Sequence, residues 1–245
     1  MSALAVLLIA VGIGDVCRRL ADNRWVAPVV AVATVVACAL LGGLWHAGDV
    51  VLLVGAAAAG VAWLLLCDRV ERTGQRHVTP LVVLGGAAVA LILSSGLGSD
   101  VHGAIARWLT WAGQPVDTDA NRLLMVVGVM LAQLATGNEL VRLVLGSVGA
   151  VRPAGQPQAS DQLKGGRLLG PMERVLIVGL GLAGQLTMAS AVVAAKSIIR
   201  FPEISANRGD KGDSTRVGID DVTEYFLVGS FASWIVAFGG LALVH

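Results

Sequence analysis

Charged side chains flank one apolar stretch of the sequence, where they could bind an anion. Lys196 and Arg200 follow the stretch 169–195 and are four residues apart, so a helix places both on one face. Glu224 and Tyr225 begin the next apolar stretch, across the intervening hydrophilic loop. The spacing predicts a cluster at one membrane face, in which Lys196 and Arg200 contact phosphate or carboxylate groups and Glu224 lies beside them.

A second polar group precedes the same stretch. Asn138, Glu139 and Arg142 end the previous apolar segment, and Glu173 and Arg174 lie at the start of the next one. We expect these five residues to form a second cluster at the opposite membrane face. Ionisable residues in apolar segments are costly in lipid and are therefore candidates for function. The alternative is that both clusters are interfacial salt bridges that fix helix depth.

The segment between the clusters, RVLIVGLGLAGQLTMASAVV, contains the pattern G-x-G-x-x-G of dinucleotide-binding βαβ units. A dinucleotide-binding domain needs more strands and helices than the flanking apolar sequence can supply. A transmembrane helix explains the small residues better, because they recur every four positions and let another helix approach closely. The predicted helix-packing stripe consists of Gly179, Ala183, Thr187, Ala191 and Ala195.

Motifs for catalysis and metal binding are missing from the sequence. It has no metalloprotease, serine-hydrolase or phosphate-binding P-loop pattern. Asp210 and Asp213 fit a solvated loop better than a metal site, and the three cysteines lie far apart in apolar runs. A net charge of +1 does not indicate a nucleic-acid partner. We expect no cofactor, no metal and no nucleic acid, and the sequence favours a protein that is not an enzyme.

The composition is that of a membrane protein. Hydrophobic residues make up 56% and charged residues 14% of the chain, and the mean hydropathy is +0.76, whereas soluble domains carry about 25% charged residues. The sequence predicts an all-α, multi-pass transmembrane bundle in contact with membrane lipid, in a bacterial plasma membrane. About seven spans are predicted, at 3–14, 25–45, 50–67, 80–97, 123–145, 169–195 and 222–244.

Polar stretches divide the predicted bundle. Residues 1–150 hold the N-terminal transmembrane helices, and within them 101–113 is an amphipathic helix in the membrane interface or, alternatively, an ordinary loop helix. Residues 151–168 form a polar linker. Residues 169–245 form a C-terminal region of two transmembrane helices joined by the charged loop 203–220.

The distribution of Lys and Arg gives a weak orientation for seven spans. The six connections hold three, none, three, two, five and five of these residues in chain order. An outside N-terminus places 11 of them on the cytoplasmic side and 7 outside, which the positive-inside rule favours by a small margin. The five cations that follow the sixth segment are then outside, against the rule.

Three stretches of the C-terminal third resemble a known family. They are GGRLLGPMERVLI, AAKSIIRF and TEYFLVGSFASWIVA, within about residues 164–243. The pattern resembles the C-terminal part of DUF3307, a family of bacterial integral membrane proteins, and it implies a multi-pass membrane protein without a known reaction. The matching positions are Gly166, Gly170, Glu173, Arg174, Ala195, Lys196, Ser197, Arg200, Phe201, Glu224, Tyr225, Gly229, Ser230 and Ser233.

Two functions are compatible with these features. The first is a non-enzymatic membrane module that associates with itself or with a membrane partner through the small-residue stripe. The second is a transporter or channel for a small anionic solute or lipid head group, which uses Lys196, Arg200 and Glu224.

Overall fold

The protein is helical throughout its described part. The computed structural model describes residues 1–21, 23–112, 119–150, 166–206 and 219–244, without the side chains of 166–168, 197, 199–206 and 219–222. Within these residues all regular secondary structure is helical, which confirms the all-α class. The helices are α1 (Ser2–Leu20), α2 (Val26–Gly42), α3 (Ala47–Thr73), α4 (Val78–Leu93), α5 (Ala104–Trp111), α6 (Ala120–Leu131), α7 (Gly137–Ser147), α8 (Gly166–Leu182), α9 (Leu186–Ala206) and α10 (Ile219–Val244).

Three helical stretches are long and apolar enough to cross a membrane: Ala47–Thr73, Ala120–Ser147 and Thr223–Val244. The second of them joins α6 to α7 through a π-helical turn at Ala132–Thr136. Shorter apolar helices cover Val26–Gly42, Val78–Leu93 and Leu186–Lys196. The three long stretches have the length and apolarity typical of membrane spans.

Two compact units make up the chain. The N-terminal unit comprises Met1–Thr73, Thr79–Thr136 and Leu243–His245, and the C-terminal unit comprises Gly74–Val78 and Gly137–Ala242. One boundary between the two units lies directly after the π-helical turn, between Thr136 and Gly137.

Helix α1 is the centre of the N-terminal unit. It packs against α2, α3 and α6, and its side chains are buried along most of its length. Two glycines allow α1 and α6 to approach closely, because neither has a side chain at the contact. A Cβ atom on Gly12 would lie 2.9 Å from Leu131 Cβ, and one on Gly128 would lie 2.8 Å from the Ala5 carbonyl oxygen.

Apolar side chains cover the outer faces of several helices. On α10, Leu227, Phe231, Ile235 and Phe238 are exposed and recur at intervals of three or four residues, so they share one face. The exposed valines of α2 form a similar row. Such continuous apolar faces are rare on soluble monomers and fit a surface covered by lipid or protein.

The predicted sixth span is not one helix, and that prediction was wrong. Helix α8 ends at Leu182 and α9 begins at Leu186. Between them Gly184 has a φ of 74°, a left-handed conformation that ends helices and favours glycine. Helices α8 and α9 pack against each other and form the α8–α9 hairpin. The predicted C-terminal region therefore contains α8, α9 and α10, rather than two helices.

The predicted amphipathic helix at 101–113 is present as the shorter α5. Val101, before the start of the helix, and Leu109 are buried, whereas Trp108 is exposed and Trp111 is 83% exposed. Its location in a membrane interface stays a prediction.

Both polar connections fall largely outside the described residues. Helix α8 begins at Gly166, and α9 extends to Ala206 before α10 begins at Ile219. The C-terminal end of the predicted linker 151–168 and both ends of the predicted loop 203–220 are thus helical.

Candidate polar site of the C-terminal unit

A buried carboxylate is the centre of the polar residues in the C-terminal unit. Glu173 on α8 is only 4% exposed. Lys196 Nζ on α9 donates a hydrogen bond of 2.5 Å to its Oε2, and Trp234 Nε1 on α10 donates one of 2.8 Å to its Oε1. The lysine nitrogen also lies 5.9 Å from the centre of the Trp234 ring, within the range of a cation–π interaction. We call this group the Glu173–Lys196 pair.

The neighbouring Arg174 is buried more deeply, at 1% exposure. Its Nη1 donates to Ser233 Oγ at 3.1 Å, and its Nη2 donates to Asn138 Oδ1 at 2.6 Å. Gly137 makes room for the guanidinium, since a Cβ atom there would lie 2.7 Å from Arg174 Nε. Two consecutive residues of α8 thus contact side chains of α7, α9 and α10.

The hairpin explains how Glu173 reaches Lys196. The two residues are 23 positions apart in the sequence, which corresponds to about 35 Å along one straight helix. The turn at Gly184 reverses the chain and brings the start of the apolar part of α8 next to the end of the apolar part of α9. The ion pair therefore exists only because segment six is broken.

The predicted cluster of Lys196, Arg200 and Glu224 does not form in the described residues. Lys196 pairs with Glu173 instead. Glu224 is exposed and lies three residues before Leu227, on the outer apolar face of α10. The Arg200 side chain lies outside the described part of the chain, and Tyr225 is half-buried near the start of α10. The partner predicted for Lys196 differs because the prediction treated 169–195 as one helix that separates Lys196 from Glu173, whereas a contact between Arg200 and Glu224 stays a prediction.

Lys196 belongs to the second predicted cluster, because it contacts Glu173. Asn138 and Arg174 are in contact, as described above. Glu139 is buried and accepts a hydrogen bond of 2.9 Å from Arg142 within α7, and the Arg142 side chain is half-exposed. Two clusters at opposite faces were predicted, and that separation was wrong, since Lys196 and Glu173 belong to one cluster.

The predicted helix-packing stripe is interrupted by the same turn. Gly179 lies on α8 and Ala183 in the turn, whereas Thr187 and Ala191 lie on α9. The last three are exposed, and a Cβ atom on Gly179 would have no neighbour within 4 Å. The prediction of one continuous stripe was wrong because it assumed a single helix. Close packing at glycines occurs instead between α1 and α6.

Sequence reasoning missed two contributors from α10. Ser233 was part of the pattern on which the family resemblance rests, so a signal for it existed. Trp234 has no such signal, since a tryptophan in an apolar segment is as common at an interface as in a polar contact. Phe231 packs edge-on against its ring, with 5.2 Å between the ring centres, and thereby helps to fix the indole.

The N-terminal unit contains a second buried carboxylate, which the sequence analysis also missed. Asp15 on α1 is 0% exposed and accepts Trp63 Nε1 on α3 at 3.2 and 3.3 Å from its two oxygens. Arg18, one turn further along α1, lies 3.7 Å from Asp15 and 2.9 Å from Glu71. The sequence signal for this site was Asp15, three residues before Arg18 and directly after the predicted span that ends at Gly14.

Metal ligation has no candidate in the part of the chain that the structure describes. No three or more His, Cys, Asp or Glu side chains are grouped there in a way that could hold an ion.

Comparison with known proteins adds no relative. No family model, no curated protein and no solved structure matches the chain.

Proposed function

We propose that the chain is a multi-pass protein of the bacterial plasma membrane whose C-terminal unit binds a small anionic group. The membrane location is supported by the three long apolar helices and by the exposed apolar faces of α2 and α10. The anion is supported by the charges around Glu173.

The α8–α9 hairpin supports a definite orientation. A hairpin returns the chain to the side from which it entered, so the connections before α8 and after α9 lie on the same side. With the five other predicted spans before α8 and an outside N-terminus, 16 of the 18 Lys and Arg residues are then cytoplasmic and two are outside. This is a far stronger positive-inside bias than one crossing at segment six allows. The five cations after α9 no longer violate the rule.

The apolar part of the hairpin is shorter than a bilayer. The apolar stretch Leu186–Lys196 of α9 measures about 16 Å, against about 30 Å for the hydrocarbon core. The hairpin enters the membrane from the cytoplasmic side, and its tip lies towards the far end of α10, since a Cβ atom on Gly181 would meet the Leu241 side chain. The Glu173–Lys196 pair lies level with Trp234, about halfway along the candidate span Thr223–Val244.

Single-cysteine labelling tests this orientation. In a background without Cys17, Cys38 and Cys67, Ser160→Cys and Ser205→Cys should both resist a membrane-impermeant maleimide added to intact cells. Thr110→Cys is the matched outside control and should be labelled. Labelling of Ser205→Cys alone would show that the chain crosses the membrane once between the two probes, which would refute the hairpin topology.

The buried charged side chains of the C-terminal unit carry the proposed binding function. The described charged side chains of α7, α8 and α9 are Glu139, Arg142, Glu173, Arg174 and Lys196. Burying such charges in an apolar setting is costly. Replacing a buried ion pair by apolar residues is often neutral or stabilising, so fold stability alone does not explain why these residues are charged. A role of Lys196 and Arg174 in binding an anionic group would explain it.

Five positions of the DUF3307 resemblance lie at this site: Gly170, Glu173, Arg174, Lys196 and Ser233. A Cβ atom on Gly170 would lie 3.5 Å from Arg174 Nη1, so this glycine also borders the guanidinium. The coincidence supports the site as the functional part of the C-terminal unit.

Ligand-dependent thermal stability tests the binding function. We expect the protein in neutral detergent to be stabilised by sulfate, phosphate, acetate or short-chain phosphatidylglycerol at constant ionic strength. Lys196→Gln should abolish the shift, while Arg72→Gln, which removes an exposed cation of α3, should retain it. Equal shifts in both variants, or no shift with any of the four anions, would refute an anion site at Lys196.

Self-association is the second candidate, and an exposed face of α9 favours it. Thr187, Ser190, Ala191 and Ala194 are small and exposed, so another helix could approach closely there. Ala191→Leu should then lower the assembled size in detergent, whereas Ala58→Leu on the exposed face of α3 should not. An unchanged size for Ala191→Leu would remove this candidate.

A further inference from the structure

We infer that α5 lies on the outer surface of the bilayer and inserts Trp108 and Trp111 into the lipid head-group layer. This inference rests on the membrane location and orientation proposed above, and it is independent of the anion site of the C-terminal unit. It assigns an occupant to a face of the N-terminal unit that the described residues leave exposed. The sequence alone left residues 101–113 open between an interfacial helix and an ordinary loop helix.

Helix α5 has two opposed faces, and each carries apolar side chains. Leu109 is buried, and α5 packs against α2 and α6. Trp111 lies about 160° around the helix from Leu109. Arg107 and Trp108 flank Trp111 at about 40° and 60°, and all three side chains are exposed. One face therefore belongs to the fold, whereas the opposite one, which we call the indole face, consists of Arg107, Trp108 and Trp111.

Backbone hydrogen bonds hold the start of α5 at the end of α2. The N–H groups of His102 and Gly103 both donate to the Gly42 carbonyl oxygen at 3.0 Å. Glycine is needed at position 103, because a Cβ atom there would collide with the Leu41 carbonyl oxygen. The indole face is thus held at a fixed level, next to the end of an apolar helix.

The end of α2 next to α5 lies at a membrane boundary. Helix α2 has 17 residues and is about 26 Å long, which nearly spans a hydrocarbon core of about 30 Å. Exposed tryptophans flank it, with Trp25 at its N-cap and Trp45 just after its end. Tryptophan is enriched at both membrane interfaces. An outside N-terminus puts the Trp45 end of α2 outside, so the indole face lies at the level of the outer head groups.

The chemistry of the indole face fits this layer. An indole has an apolar body and one N–H donor, so it prefers the boundary between hydrocarbon and water. The guanidinium of Arg107 can donate paired hydrogen bonds to a phosphate, which phospholipid head groups supply. Short helices with tryptophan on one face bind in this way at membrane surfaces. Lipid is therefore the occupant that matches both the composition of the face and its level.

Difference fluorescence in nanodiscs is the test. The double variant Trp108→Phe/Trp111→Phe removes only these two indoles, so the wild-type signal minus that of the variant belongs to them. Phosphatidylcholine with a nitroxide on the head group should quench this difference signal several-fold more strongly than phosphatidylcholine with a nitroxide deep in the acyl chain. The double variant should elute at the wild-type volume, because both replaced side chains are exposed.

Three results would overturn the inference. Quenching by iodide in the water, without quenching by either lipid, would place the indole face in solvent. Stronger quenching by the deep nitroxide would place it in the hydrocarbon core. Quenching by none of the three would mean that protein covers the face, such as a second copy of the chain.

The signal of Trp25 separates this inference from the proposed membrane location. Trp25→Phe gives a second difference signal, which comes from the other end of α2. Head-group quenching of Trp25 without quenching of the indole face would overturn the inference and leave the membrane location standing. Absence of lipid quenching at both places would overturn the membrane location as well.

A spin label measures the same depth without relying on fluorescence. In the background without native cysteines, a nitroxide on Trp111→Cys should collide with oxygen and with a water-soluble nickel chelate at rates between those of two controls. Val36→Cys, on the exposed row of α2, is the control for the membrane core. Gln75→Cys, in the exposed α3–α4 connection, is the control for water. Rates equal to those of either control would contradict the inference.

Discussion

The two units each bury a carboxylate that accepts the indole N–H of a tryptophan, but they hold the neighbouring cation differently. In the N-terminal unit, Arg18 is one turn from Asp15 on the same helix and also binds Glu71. In the C-terminal unit, Lys196 comes from another helix, across the turn at Gly184. The first arrangement is fixed by the geometry of one helix, and the second depends on the closure of a hairpin. The difference is between a cation held within one helix and a cation held by the contact of two helices.

The largest expected difference comes from removing each carboxylate. Glu173→Ala leaves Lys196 buried without its ionic partner and should lower the free energy of unfolding by about 3–5 kcal/mol. Asp15→Ala should cost less, about 1–3 kcal/mol, because Arg18 keeps Glu71. Denaturation in mixed detergent micelles, followed by tryptophan fluorescence, measures both. The comparison between the units fails if Asp15→Ala is the more damaging change.

Two close-packed glycines, one in each unit, should differ in the same assay. Gly128→Ala places a Cβ against the backbone carbonyl of Ala5, which cannot move alone, and should cost about 1–3 kcal/mol. Gly137→Ala meets the guanidinium of Arg174, whose flexible side chain can shift, and should cost less than Gly128→Ala. Gly86→Ala on α4, where a Cβ has no neighbour within 4 Å, is the control and should be neutral or slightly stabilising. A larger loss at Gly137 would mean that Arg174 is held rigidly.

The smallest effect is expected at the exposed end of the N-terminal pair. Glu71→Gln removes a half-exposed partner of Arg18 and should change the free energy of unfolding by less than about 1 kcal/mol. Arg18 remains close to Asp15, so the buried carboxylate keeps a cation. A loss comparable with that of Asp15→Ala would show that the three residues act as one unit.

The helical class could be predicted because it follows from the composition. Helices α2, α3 and α10 lie where the sequence predicts long apolar segments. The turn at Gly184 could not be recognised from apolarity, since the residues on both sides are as hydrophobic as a span requires. The spacing of Lys196 and Arg200 was interpreted for one helix that crosses the membrane, and the hairpin changed the partner of Lys196 from Glu224 to Glu173.

The contact between Asn138 and Arg174 could be predicted from the sequence. Asn138 lies at the end of one predicted segment and Arg174 at the start of the next. The contacts of Trp234 and Trp63 could not be predicted, since the direction of an indole N–H depends on packing across helices. Asp15 was missed for a different reason: it follows a predicted span closely and was taken as its end.

The central position of α1 has a consequence for how the protein is made. Gly128 packs against the carbonyl of Ala5. At a synthesis rate of roughly 5–20 residues per second, Gly128 is added about 6–25 s after Ala5. During that interval α1 lacks one of the helices that cover it in the folded unit. Helix α1 leaves the ribosome before α6, so its packing is completed only after α6 has been synthesised.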